Sequence, residues 1–454
     1  MKVMKFGGTS MADDITWKKV YDIIRKNPRS VVVVSATNKT TRKLIQCAQM
    51  AADGEIHGAQ IMAQQIAGHH QHIIDQFIAD YAHEKDDITR EKCHDYIRSC
   101  MDDLRDYLSE IEQGQTLPPI HLDTVKSIGE RLSSFLFAEC GKMLNLPLTY
   151  VDALEIIKTD SHFGQARPDM QQIRENVQIL TEMLDNEKIP IIGGFIGRDS
   201  QKNITTLGME GSDYTASILG NVMDAEVVEI WTDVSGVFTF DPRIAIDARP
   251  IPELDYREAA LLARFGAKIL HPSTLEPVAE KDIPIRVKNM FHPERSGTKI
   301  ASSNKKASEI KAISLLTHIQ ACSLPTEKKV VIEDDELLVL DEWKNHQASD
   351  NHLLVSFHEN TNWEELLSAS NKNISISPVE NKGLITLVGR GIRSKSLVID
   401  HIKNELATIG NYKIYSTNEG DSLSVLLDMN YVRGAVQKLH ELCAGVSHSK
   451  IVNE

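Results

Sequence analysis

Cysteine is scarce in this chain and nowhere paired in spacing. Cys47, Cys93, Cys100, Cys140, Cys322 and Cys443 form no CxxC and no zinc-ligand pattern. That excludes a disulfide-stapled scaffold and a zinc ribbon, and leaves reduced thiols packed in a core. No stretch reaches the roughly 18 apolar residues that a membrane span needs. No apolar segment follows a basic start, so a secretory leader is not expected and a cytoplasmic setting is. Positive charge is in deficit, with 50 Lys and Arg against 64 Asp and Glu and a net charge of −14. General nucleic-acid binding is disfavoured, and an acidic protein acting on an anionic nucleotide must gather its cations in one cleft.

At 454 residues, 41% hydrophobic and 25% charged, the chain has the composition of a globular protein of two or three domains. It opens Lys2-Val-Met-Lys5-Phe-Gly7-Gly8-Thr9-Ser10, an apolar strand running into a glycine turn with a lysine at its tip. In open α/β sheets the carboxyl ends of strands are where anions bind. Two glycines let backbone N–H groups approach phosphate oxygens. The spacing is not that of the common GxxxxGK[ST] loop, and a plain turn leading to a helix cap is the bland alternative.

Strand and helix alternate through the first part: strands at Lys2–Lys5 and Ser30–Ser35, helices at Asp13–Arg25 and Thr40–Ala52. Four consecutive valines suit a parallel strand covered on both faces. Residues 53–121 read as an inserted helical subdomain, followed by a long helix, about Leu122–Met143. His69, His70 and His72 cluster there as solvated helix histidines, because no acidic or cysteine partner has metal-ligand spacing. Alternation resumes with a strand at Leu148–Val151, a helix over Pro168–Asn186 with the proline inside its start, a strand at Ile189–Gly194, a helix at Ser212–Met223, and strands at Ala225–Thr232 and Ile283–Lys288. This predicts a mostly parallel sheet sandwiched by helices. Beyond the polar linker Ser302-Ser-Asn-Lys-Lys come short strands at Ile310–Leu316, Lys329–Ile332, Leu337–Leu340 and Leu353–His358. A clearer unit follows: strand Leu384–Val388, helix Leu397–Ile409, strands Tyr412–Thr417 and Leu423–Asp428, helix Val432–Leu442. That is most of a ferredoxin-like α+β module.

Four further motifs carry polar chemistry. Gly193-Gly-Phe195-Ile-Gly-Arg198 leads to Gly208-Met-Glu-Gly-Ser212-Asp213-Tyr. Ser212 is either an N-cap or part of an anion-binding helix start. Trp231-Thr232-Asp233 runs on to Asp241-Pro-Arg243, as a turn or as the wall of a nucleotide site. Phe265-Gly-Ala-Lys268-Ile-Leu-His-Pro places a lysine after a helix end, for the helix dipole or for a phosphate chain. Ser127-Ile-Gly-Glu130-Arg-Leu-Ser has capping-box spacing, and Glu130 is equally a candidate to hold an ammonium.

Taken in order, Lys-Phe-Gly-Gly-Thr-Ser, Gly-Glu-Arg-Leu-Ser, Gly-Ser-Asp-Tyr, Trp-Thr-Asp-Val, Asp-Pro-Arg and Phe-Gly-Ala-Lys-x-Leu-His-Pro resemble the aspartokinases across residues 1–300. The helical insertion looks like that of the longer members. Ile385-Thr-Leu-Val-Gly-Arg-Gly-Ile-Arg-Ser resembles an ACT domain. The resemblance implies an amino-acid-kinase domain over 1–302, a divergent ACT-like module over 303–381 and an ACT module over 382–454. It implies ATP-dependent, Mg²⁺-dependent phosphorylation of the side-chain carboxylate of L-aspartate, and places no metal on the protein's own residues. By position, Lys5, Gly7, Gly8 and Ser10 bind the β- and γ-phosphates, and Asp213 organises Lys5. Glu130 holds the aspartate ammonium. Thr37, Thr41, Phe195, Arg198 and Ser212 complete the substrate site, and Thr232, Asp233, Asp241, Arg243 and Lys268 line the ATP site. A carboxylate nucleophile is ionised at neutral pH and needs no base, so positioning and positive charge suffice. Homo-oligomers, as a dimer or dimer of dimers through the ACT region, and lysine or threonine as effector are the implied partners. The strand Leu384–Val388 is suited to edge pairing between subunits.

Two positions depart from the family pattern. The arginine that usually precedes Gly-Ser-Asp-Tyr, and normally pairs with the aspartate α-carboxylate, is Met209 followed by Glu210. Methionine cannot form a bidentate ion pair, so Arg198 or another cation takes its place, or aspartate binds differently or weakly. Residues 316–352 lack the Gly-containing turn and apolar helix of an ACT module. The alternatives are a related kinase with another acidic acceptor, or a weakly catalytic ACT-based sensor or partner subunit.

Overall fold

A computed structural model describes the chain apart from residues 82–86, 268–269, 303–309, 318, 326–336, 345–346, 357–362, 364–376, 380, 395, 410, 418–419 and 446–454. The expected strand Lys329–Ile332 lies outside the described residues. Two compact units are formed, Met1–Val237 with Leu270–Ser302, and Phe238–Ile269 with Ser303–Glu454. The span 1–302 therefore gives residues 238–269 to the second unit.

The first unit begins with β1 (Lys2–Phe6), α1 (Asp14–Arg25), β2 (Ser30–Val34) and α2 (Thr40–Ala52), then three long helices, α3 (Ile56–Tyr81), α4 (Asp87–Gly114) and α5 (Pro119–Met143). It continues with β3 (Leu148–Val151), α6 (Ala153–Ile156), α7 (Met170–Asn176), α8 (Gln178–Asp185), β4 (Ile189–Gly193), a small hairpin of β5 (Ile196–Arg198) and β6 (Ile204–Thr206), α9 (Gly211–Val222) and β7 (Val227–Thr232). After a passage through the second unit, which carries β8 (Glu253–Leu254) and α10 (Tyr256–Arg264), it closes with α11 (Pro272–Glu280), β9 (Ile285–Asn289) and β10 (Thr298–Ile300). The strands lie in the order β3-β4-β2-β1-β7-β9-β10. All neighbours are parallel except β9 and β10. The expected α/β sandwich is present, and β1 and β2 run side by side at its centre with Lys5 opposite Val33. Every residue of β2 is buried, as a valine run covered on both faces should be.

The helical insertion does not form a core of its own. Ile66, Ile73 and Phe77 of α3 and Ile97, Cys100 and Leu104 of α4 belong to the same buried cluster as Met4, Phe6 and Val32 of the sheet. Phe77 meets Tyr21 edge-on at 5.5 Å between centroids, and Tyr21 stacks on Phe137 at 4.2 Å. Aromatic pairs of this geometry add to their buried area. Two helix boundaries differ from expectation. The Pro168–Asn186 segment is two helices that part at Val177, and Asp169, not Pro168, caps the first by accepting from the N–H groups of Gln171 and Gln172. α5 begins at Pro119, so Ser127 and Glu130 lie in its interior and no capping box exists there; Ser127 Oγ donates to the Thr124 carbonyl instead.

In the second unit, β11 (Ala312–Leu316), β12 (Gln320–Pro325), β13 (Leu337–Lys344), β14 (Gln347–Ser356), β15 (Ser377–Val379) and β16 (Lys382–Val388) precede α12 (Ser396–Leu406), β17 (Tyr412–Ser416), β18 (Ser422–Asp428) and α13 (Met429–Gly445). They share one antiparallel sheet, in the order β11-β16-β18-β17-β13-β14-β12-β15. Leu384–Val388 is not an edge. β11 pairs with one side of β16 and β18 with the other, so both rows of backbone groups are taken and β16 cannot add a strand from another subunit.

Candidate active site

The carboxyl ends of β1 and β2, the start of α2, the middle of α5 and the start of α9 surround one cleft of about 350 Å³. It is lined by Lys5, Gly8, Thr37, Thr41, Glu130, Phe195, Ser212 and Asp213 among the expected residues, and also by Ser35, Ala36, Lys39, Gly208, Glu210 and Gly211. In a parallel sheet such a crevice forms where helices leave strand ends in different directions.

Lys5 is carried to the rim by the buried strand β1. Its Nζ lies 2.8 and 2.9 Å from the two carboxylate oxygens of Asp213 in the first turn of α9. Both side chains are nine-tenths buried, so the pair is mutually necessary. Ser212 is not the N-cap of α9. Glu210 holds that position in the left-handed region at φ 52°, and no side chain caps the helix. Lys39 does the same for α2 at φ 64°. Two helix starts without side-chain caps thus meet the cleft, each with its positive dipole end available to an anion. α9 is brought close by Gly194, where a Cβ would stand 2.6 Å from Ser212 Cβ.

Glu130 faces the same space from α5. One oxygen accepts from the Ala36 N–H at 3.2 Å, and Oε2 is buried with no hydrogen-bond partner. Burial pushes this carboxyl up to about 8, and the Ala36 bond offsets only part of the rise. A buried acceptor without a donor is costly, and an incoming ammonium would satisfy it. Glu210 is also raised, first by burial and then by the Asp213 charge, while the His271 N–H that it accepts pulls the other way.

The remaining expected residues lie elsewhere. Gly7 backs onto the cleft through its N–H bond to the Trp231 carbonyl at 3.3 Å. Ser10 is buried beneath the glycine turn, its hydroxyl unpartnered. Arg198 does not line the cleft and pairs with Glu155 at 2.6 Å. Thr232 ends β7 and its hydroxyl donates to Asp233, the next residue, at 3.1 Å. Asp241 and Arg243 belong to the second unit, where Arg243 grips Asp241 with Nη2–Oδ2 at 2.6 Å. Lys268 lies outside the described residues. Met209 is 75% exposed.

His70 contradicts its sequence reading. It is fully buried rather than solvated, and Thr37 Oγ1 lies 3.0 Å from its Nε2. Asp123, too, stood in no motif: its Oδ2 accepts from the N–H groups of Gly164 and Thr206 at 2.7 and 2.8 Å, tying the loop beside Gly208 to α5. Lys39 and Glu210 adjoin motifs and follow from the strand-end rule; His70 and Asp123 act over long sequence separations and gave no local signal.

Residues 1–289 match the family model described as "Amino acid kinase family". The chain is 32% identical over 318 residues to the lysine-sensitive aspartokinase 3 of Escherichia coli (strain K12), covering 69% of this chain and 67% of that protein. It is 31% identical over 325 residues to the aspartokinase of Chlamydia pneumoniae, covering 71% and 68%. Among solved structures it superposes on E. coli aspartokinase III in complex with aspartate and ADP (R-state) with a TM-score of 0.81 and 26% identity, over 97% of this chain and 99% of that one. The lysine and aspartate complex (T-state) of the same enzyme gives 0.73. The fold, the strand-end cleft and these relatives agree that the chain belongs to the amino acid kinase family, within its aspartokinase branch.

Proposed function

We propose that the chain phosphorylates the side-chain carboxylate of L-aspartate with ATP, giving 4-phospho-L-aspartate, the first step toward lysine, threonine and methionine. The observation that carries this reading is one cleft holding the Lys5–Asp213 pair and the unpartnered Oε2 of Glu130. The first is a fixed cation for a transferring phosphoryl group, and the second a buried acceptor for an amino group.

One aspartate carboxylate oxygen attacks the γ-phosphorus, and the bond to the ADP oxygen breaks. The nucleophile is already ionised, so no residue has to take a proton. Lys5, Gly7, Gly8, Ser10 and the start of α9 neutralise the phosphates, and Asp213 holds Lys5 in place. Glu130, with Thr37, Thr41, Phe195 and Ser212, orients the amino acid. The resemblance alone assigns Thr232, Asp233, Asp241, Arg243 and Lys268 to the nucleotide. Among the described residues no three His, Cys, Asp or Glu stand together as a metal cage. Mg²⁺ would enter as a phosphate-borne ion, a hard cation held by phosphate oxygens and supplying charge to the transferring group. Lysine or threonine as effector, oligomerisation through the C-terminal sheet and a cytoplasmic location complete the proposal; no helix among the described residues is long and apolar enough to cross a membrane.

Met209 favours a second reading, a different acidic acceptor, because it supplies no cation for an α-carboxylate. Turnover of Mg-ATP with L-aspartate, trapped by hydroxylamine as the hydroxamate, separates the two. Aspartate-dependent turnover that Lys5→Ala abolishes supports the first. ATP binding without aspartate turnover sinks it.

A further inference from the structure

The helical insertion touches a lining residue of the cleft through His70 of α3. His70 of α3 is fully buried. Its Nδ1 lies 2.8 Å from the Ile66 carbonyl oxygen, which can only accept. Nδ1 therefore carries the proton, and burial holds the ring neutral by pulling it down to about 4. Nε2 is then an acceptor. Its neighbour at 3.0 Å is Thr37 Oγ1, which lies 2.6 Å from Thr40 Oγ1.

The proton directions follow in sequence. Thr37 has to donate to His70. Having spent its only proton there, it accepts from Thr40. One lone pair remains, so Thr37 can meet a ligand only as an acceptor. We infer that His70 is a positioning residue for the substrate pocket: through Thr37, which lines the same cleft as Glu130, it presents a second acceptor and so selects an acceptor molecule bearing an ammonium group.

This rests on the aspartate reading above, and deepens it. A hydroxyl that could turn its proton into the cleft would accommodate a carboxylate or neutral group as readily. Held by His70, it disfavours dicarboxylates that lack the amine.

The test measures initial rates of the full chain, His70→Phe, His70→Gln and Thr37→Val, varying aspartate and ATP separately, with thermal melting alongside. His70→Phe is expected to raise the KM for aspartate about tenfold, the loss of one hydrogen bond to a charged group. Its kcat and KM for ATP should stay within about twofold, since the function proposed above gives neither His70 nor Thr37 a role at the phosphate groups. His70→Gln, whose Oε1 can accept from Thr37, should recover most of the affinity. Thr37→Val should match His70→Phe, and the double variant should be no worse than either, as for two members of one chain. An unchanged KM for aspartate in His70→Phe and Thr37→Val would overturn the inference. So would loss of melting temperature with both KM values raised together, or failure of His70→Gln to rescue while it melts normally. Absence of aspartate turnover in the unaltered chain would instead fault the aspartate reading itself.

Discussion

Lys5 and Asp213 are 208 residues apart in the chain, yet the lysine Nζ sits between both carboxylate oxygens at 2.8 and 2.9 Å. The contact joins the tip of a central strand to the first turn of a helix. It fixes a cation where two uncapped helix starts meet the cleft, beside the carboxylates of Glu130 and Glu210.

Breaking that pair has two separable effects. Lys5→Met should lower kcat by roughly 10²–10³, the scale of losing one fixed electrostatic donor. It should also destabilise the fold by about 3–5 kcal/mol, because Asp213 is left buried and unpaired. Adding Asp213→Asn should restore part of the stability and none of the activity. Urea unfolding of the single and double variants checks the stability, and hydroxamate assays the activity.

Glu130 couples binding to protons. Its folded carboxyl titrates at about 8, above an ordinary value of 4.5. The folded protein thus binds more protons than the unfolded chain between these values. Glu130 contributes stability below pH 4.5, and that contribution is lost as pH rises toward 8. An ammonium beside Oε2 favours the ionised form, so aspartate binding at pH 7 should release close to one proton. Calorimetry in two buffers of different ionisation enthalpy measures it. Glu130→Gln should abolish the release and flatten the rise of aspartate affinity with pH.

Gly194 is a packing requirement of the site. A methyl there would lie 2.7 Å from Ser212 Cα, backbone that cannot turn aside. Gly194→Ala should cost about 1–3 kcal/mol and should raise KM for ATP, because the start of α9 is pushed out of line. Equal KM and melting temperature in the variant would show that α9 yields without consequence.

Met209 can be tested directly. It is largely exposed between Gly208 and Glu210, both of which line the cleft. Met209→Arg should therefore change stability by no more than about 0.5 kcal/mol. If the α-carboxylate is held from this loop, the new guanidinium should lower the KM for aspartate severalfold. No change would assign the carboxylate to another cation, Lys39 being the lysine besides Lys5 that lines the cleft among the described residues.

The α/β alternation, the buried valine strand and the glycine turn after Lys5 were legible because each depends on neighbours in sequence. A period of 2 or 3.6 and a turn dipeptide leave local marks. The same locality misled at Ser127 and Glu130, whose S-x-x-E spacing imitates a cap but lies inside α5. It misled again at Leu384–Val388, whose apolar run says that it is a strand but not how many partners it has.

What the sequence determined by itself was the strand–helix alternation of the first part, the strand-end motifs and the family. What only the tertiary structure decided was which polar atoms go unpaired and which find distant partners. Glu130 Oε2 is left without a donor, His70 is drawn out of solvent onto Thr37, and Asp123 reaches Thr206 across 83 residues. Burial and hydrogen-bond direction are properties of an assembled core. They arise when the insertion helices pack on the sheet, and no spacing along the chain encodes them.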